Sequence, residues 1–201
     1  FMLRRFPAQP WGRGMTAFTI LVLLIVVIAA YAVVIYNRLI ALKNRVSEAW
    51  SDIAVQMKRR YDLIPNVVET VKGYAAHEQT TFEQVVAARN AAMSDNGDAA
   101  HQAQTEGLLQ GALKNLFALA ESYPDLKANQ GFLDLQTQLS EIEEVIQKAR
   151  RYYNGSVRDL NNLIEQFPSN LIAGMFNFQM ASFFELDPSQ SAANEPVAVK
   201  F

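Results

Sequence analysis

The sequence predicts an all-α protein: a single N-terminal transmembrane helix continuing into an antiparallel bundle of long helices, with a short extended C-terminal tail. Three observations carry this. Residues 16–36, TAFTILVLLIVVIAAYAVVIY, form an uncharged apolar run. Beyond it, apolar residues recur at three- and four-residue spacing over long stretches, which places them along one helix face. No stretch ahead of the tail alternates in the manner of a half-buried strand. The expected organisation is a terminal tail over 1–15, the membrane helix over 16–36, a helical domain over 37–187 and a tail over 188–201.

The apolar run comes first. About 20 residues at ~1.5 Å each cross a hydrocarbon core of ~30 Å, and no charge occurs between Arg13 and Arg38. Tyr31 and Tyr36 fall toward one end, where aromatic rings favour the headgroup interface. A secretory signal is the competing reading, with Ala30-Tyr31-Ala32 as its cleavage-like motif; the run is longer than such a signal needs, so an anchor is favoured. Arg38, Lys43 and Arg45 follow at once and are placed for lipid headgroups. A start at Met15 would leave no charged side chain ahead of the span, and the positive-inside bias would then put the domain in the cytoplasm. A start at Met2 brings Arg4, Arg5 and Arg13 and nearly balances the two sides.

No glycine or proline occurs over residues 15–64, so nothing stops the helix as it leaves the bilayer. Leu39, Leu42, Val46, Ala49, Ile53 and Met57 continue a single stripe. It resumes past Pro65 at Val67, Val68, Val71, Tyr74, Ala75, Phe82, Val85 and Val86, which predicts one helix kinked at the proline. Residues 94–98, SDNGD, read as a loop. A shorter helix is expected over about 104–122, burying Leu108, Leu109, Ala112, Leu113, Leu116, Phe117 and Ala120, with Tyr123-Pro124-Asp125 ending it. The last long helix is expected over about 132–167 and stops at Pro168. The apolar segment that follows, with Leu171, Ile172, Met175, Phe176 and Phe178, is expected to pack back on the bundle or to contact a membrane, another copy or a partner. In the tail, Val197, Val199 and Phe201 would share one side of a strand.

Chemistry is sparse. The formal charge of −2 gives no electrostatic case for nucleic acid, although from residue 37 onward 15 Lys/Arg face 20 Asp/Glu. There is no cysteine. His77-Glu78 begins like a zinc-protease helix, but position 81 is threonine, and His101 stands alone; no metal site and no cofactor are expected. Asp62 and Glu69 share a helix face, yet Arg59 and Lys72 accompany them at ion-pair spacing. No nucleophile has an adjacent base. Lys58, Arg59 and Arg60 are singled out instead as an interaction face.

The stretches YNRLIALKNRVSEAW, KRRYDLIPNVVETVKGYAAHE, ARNAAM, LFALAESYPDLKANQGFLDLQ and FPSNLIAGMF, in this order, closely resemble the LemA family. The extension ahead of Met15 departs from the family pattern. The resemblance implies a single-pass protein of the bacterial inner membrane, with a short amino terminus outside and an all-helical domain in the cytoplasm. It also implies association with membrane metalloproteases of the HtpX type and, for one relative, with magnetosomes; it implies no reaction.

Two functional expectations follow. The first is a non-enzymatic membrane-anchored scaffold that forms homo-oligomers or organises envelope proteins, its terminal strands pairing edge to edge in a ring. The second is an adaptor for a membrane protease, offering its Val-Lys-Phe terminus as an added strand.

Overall fold

A computed structural model describes residues 11–185, with side chains from residue 16 onward. Helix α1, Trp11–Lys72, runs for 62 residues, about 93 Å at the usual rise. Its first part, through Val34, exposes large apolar side chains on every side. From Ile35 the helix becomes one-sided: Leu39, Leu42, Ala49, Ile53, Met57, Ile64, Val67 and Val71 are buried, while Arg38, Lys43 and Arg45 face outward.

That stripe is covered by α5, Gln130–Glu165. Leu39 and Leu42 cluster with Leu160 and Leu163, the Trp50 and Tyr153 rings lie 5.3 Å apart, and Arg60 meets Glu143. Numbers rise on one helix as they fall on the other, so the pair is antiparallel. Asn129 caps α5, accepting from the Phe132 amide at 3.0 Å. The exposed faces carry ion pairs at helical spacing, Glu69 with Lys72 and Glu144 with Lys148.

The chain departs from a kinked continuation of α1. The helix passes through Pro65 but ends at Lys72. Three-residue bonds, Tyr74 N–H to Val71 and Glu78 N–H to Ala75, then turn the chain, and α2, Gln79–Ser94, runs back along α1. The apolar phase survives because Ala75, Phe82 and Val85 enter the same core from the turn and the returning helix. Tyr74 and Val86, expected on the stripe, are each 43% exposed.

Helix α3, Ala99–Ala120, starts about five residues earlier than the apolar pattern indicates. Asp98 is its cap, accepting from the His101 amide at 3.0 Å and from the Ser182 hydroxyl at 2.6 Å. The Ser182 bond, then that amide, hold the Asp98 carboxyl below the usual carboxylate range. Within α3, Leu109, Leu113, Leu116 and Ala120 are buried, but Leu108 is 60% exposed, because the helix packs along one side and not around its circumference. A single turn, α4 (Pro124–Lys127), links it to α5. The result is an up-down-up-down bundle of α1, α2, α3 and α5; among the described residues there is no strand.

After α5 comes α6, Ser169–Met175, whose Ala173 is buried against Ile35 and Leu39. Residues 177–184 then climb the bundle in a non-helical conformation. Two asparagines hold them. Asn161 donates to the Ala181 carbonyl and accepts from its N–H, both at 2.9 Å; Asn154 does the same for Phe184, at 3.1 and 2.9 Å. The spacings match: seven helical residues rise about 10.5 Å, and three extended ones span about 10 Å. Phe184 finishes buried, its ring 5.6 Å from Trp50. The segment after α5 therefore packs back on the bundle. The strand expected at Val197, Val199 and Phe201 lies outside the described residues.

Candidate functional site

The charged triplet Lys58-Arg59-Arg60 does not form one surface. Lys58 is exposed and pairs with Asp62 at 2.8 Å; Arg59 is exposed; Arg60 is only 4% accessible. Helical phase explains the split. Ile53, Met57 and Ile64 set the inward stripe, and position 60 falls within it. An arginine placed there must find anions inside the protein or leave a charge buried without a partner.

It finds two. Its Nη1 donates to Glu143 of α5 at 2.7 Å, and its Nη2 forms an ion pair with Glu106 of α3. Tyr61 donates its hydroxyl to Glu106, and burial holds that hydroxyl above the usual tyrosine range. Gln102 bridges the cluster to α2, donating to the Ala92 carbonyl at 2.9 Å. Gln110 and Gln147 donate to the remaining oxygen of Glu143 at 2.9 and 2.8 Å. Arg150, half-buried, adds a second cation attracted to Glu143. The cluster thus ties all four long helices together; Glu143 is engaged at both oxygens, Glu106 Oε2 has only the Arg60 ion pair, and the Arg60 Nε–H is buried without a hydrogen-bond partner. It fixes the spacing of the helices. Among the described residues, no group of three or more His, Asp or Glu side chains could hold a metal ion. His77 is exposed in the turn before α2. His101 stands on the first turn of α3, with its Nδ1 2.8 Å from Asp95.

Beside the cluster, α3 and α5 line a groove of about 630 Å³. Its floor is apolar, built from Leu113, Phe117 and Leu139. Gln136 and Ser140 supply an amide and a hydroxyl, Gln110 and Gln147 line it with their amide N–H groups turned to Glu143, and Lys114, Lys148 and Arg151 stand along the rims. The groove continues a line already in use. Asn161, Asn154, Gln147 and Ser140 are seven apart on α5, so they lie along nearly one face. The first two hold residues 181 and 184, and Phe184 sits at the foot of the groove beside Gln147 and Arg150. One half of this face is thus filled by an extended stretch of the chain itself. Nothing among the described residues covers the other half. Sequence reasoning missed this site; the heptad-spaced Asn161, Asn154 and Gln147 on a helix otherwise rich in charge were the available signal.

The other predicted residues are dispersed. Arg38 and Arg45 flank a shallow depression facing Asp159, Asn162 and Gln166. Phe176 and Phe178 pack their rings against Tyr36, at 4.7 and 5.9 Å, Ile172 is half-buried, and Leu171 and Met175 remain exposed.

The LemA family model matches residues 49–201, three quarters of the chain. The chain belongs to the LemA family. Among its relatives, protein LemA of Metamycoplasma hominis is 26% identical over 152 aligned residues, covering 74% of this chain and 68% of that one. Magnetosome protein MamQ 1 of Paramagnetospirillum magneticum is 24% identical over 205 aligned positions, covering 89% of this chain and 75% of that one. Magnetosome protein MamQ of Magnetospirillum gryphiswaldense is 22% identical over 179, covering 77% and 66%. The matched stretch of this LemA-family chain holds the ion cluster, the asparagine clamp and the groove. Ahead of it lies an apolar helix with the length and composition of a membrane anchor.

Proposed function

We propose that this LemA-family protein is a non-enzymatic, membrane-anchored helical scaffold that works by holding an extended segment of another chain, first of all a second copy of itself. One observation carries the reading. The α5 face already binds an extended segment through side-chain amides that pair with its backbone, and the same face continues uncovered into the α3–α5 groove. Recognition of that kind reads backbone more than side chains, and the apolar floor supplies pockets for alternate residues. The buried Arg60 cluster beneath keeps the groove walls at a fixed separation without spending an exposed charge. Assembly with other membrane proteins, as an adaptor, would use the same groove.

The test is the mass of the intact protein released in mild detergent, measured by native mass spectrometry. Wild type is expected as a discrete multiple of the chain mass. Gln136→Arg with Ser140→Arg, two exposed positions that place bulk and charge in the groove, should shift the population to monomer with helicity unchanged. A bare monomer for wild type contradicts self-assembly, and an unaltered oligomer in the variant removes the groove from it.

A further inference from the structure

Beyond the groove, the end of the bundle nearest the apolar span carries a second unexplained surface. Four large apolar side chains stand exposed where α5 gives way to α6: Phe167 at 80%, Leu171 at 60%, Met175 at 74% and Phe176 at 53%. Leu171 and Met175 are four apart on α6 and so share its outer face. The inner face is occupied, since Ala173 is buried with Ile35, Leu39, Leu160 and Leu163.

What covers the outer face follows from its height. Phe176 packs its ring 4.7 Å from that of Tyr36, and Tyr36 is the last residue of the apolar run. One turn before it, Val33 and Val34 are exposed apolar residues of the span itself. Immediately after it, Arg38 opens the row of outward cations that headgroups would meet. The apolar surface of α6 is therefore continuous with lipid-facing surface of α1, at the level where hydrocarbon gives way to headgroups. An aromatic and aliphatic ridge at that level matches the side chains that lie in the bilayer interface.

We propose that α6, with Phe167, is a second membrane contact: its outer face rests in the interface of the leaflet from which α1 emerges. The domain is then seated on the bilayer at two points and cannot swing about α1. This inference rests on α1 spanning the membrane and is independent of the groove.

The absence of cysteine from the chain makes the test direct. Met175→Cys, Val33→Cys and Val55→Cys are made singly in the full-length protein, labelled with an environment-sensitive fluorophore and reconstituted into phosphatidylcholine vesicles. Val33 reports the span, and Val55 an exposed domain position on α1. Lipids carrying a nitroxide close to the headgroup end of the acyl chain should quench the Met175 label about as strongly as the Val33 label, with a matching blue shift, and leave the Val55 label bright. A quenched Val33 label beside a water-like Met175 label overturns the inference and leaves the anchor standing. A Met175 label that is blue-shifted but not quenched overturns it as well, because protein then covers the face. An unquenched Val33 label would overturn the anchor and this inference with it.

Discussion

Arg60 holds carboxylates from two other helices, so its removal should cost more than loss of its own packing. Arg60→Ala would leave Glu106 buried without a cation, a change that costs about 3–5 kcal/mol and lowers the melting temperature by roughly 10 °C in a domain of this size. Replacing the pair, Arg60→Met with Glu106→Leu, should recover most of that loss, because an apolar pair of similar volume needs no desolvation. Thermal unfolding followed by circular dichroism separates the two variants; equal melting temperatures would mean the ion cluster is not stabilising the helix spacing. At this scale the sequence was half legible. The exposed pairs Glu69–Lys72 and Glu144–Lys148 follow from spacing alone. Arg60 was grouped with Lys58 and Arg59 because charge outweighed phase, although Ile53, Met57 and Ile64 already marked its position as inward. Leu108 failed for the converse reason: an apolar side chain says nothing of which face it occupies until the neighbouring helices are known.

At the scale of elements, Pro65 shows how the long helix survives an interruption. Proline has no N–H to give the Tyr61 carbonyl, four residues back. Arg89 of α2 takes over, donating its Nε–H to that oxygen at 2.7 Å. The returning helix therefore completes the first one. Arg89→Ala should cost about 1–3 kcal/mol, the range for leaving an enclosed carbonyl unpaired. In a Pro65→Ala background, where the backbone supplies the missing donor, the same change should cost clearly less. Equilibrium unfolding of the four proteins closes the double-mutant cycle, and additive losses would show that Arg89 acts elsewhere. The turn at 73–78 was missed because apolar phase runs through it unbroken. The start of α3 was missed because its first turn, AAHQ, carries little apolar signal, although Asp98 is an ordinary capping residue. The ends of α5 were legible within about two residues, from Phe132 and Pro168.

Over the described residues, the apolar span and the domain share one continuous helix, so no break separates them. α5 returns the chain toward the apolar span and α6 sits beside Tyr36, while the α3–α5 groove lies farther along the bundle, at residues 136–151 of α5. The all-helical class and the apolar span were legible because both rest on long periodic patterns. The groove was not, since it lies between two helices, and no single helix records the position of its neighbours. An extended segment of another copy, if held on this face, is open to direct capture. Ser140→Cys, in the groove, and Glu83→Cys, on the exposed side of α2, are labelled with benzophenone maleimide in the purified full-length protein, reconstituted and irradiated. The account predicts an adduct of two copies from the Ser140 label, mapping by peptide sequencing to a non-helical stretch, and none from Glu83. Equal, background capture from both positions would contradict it.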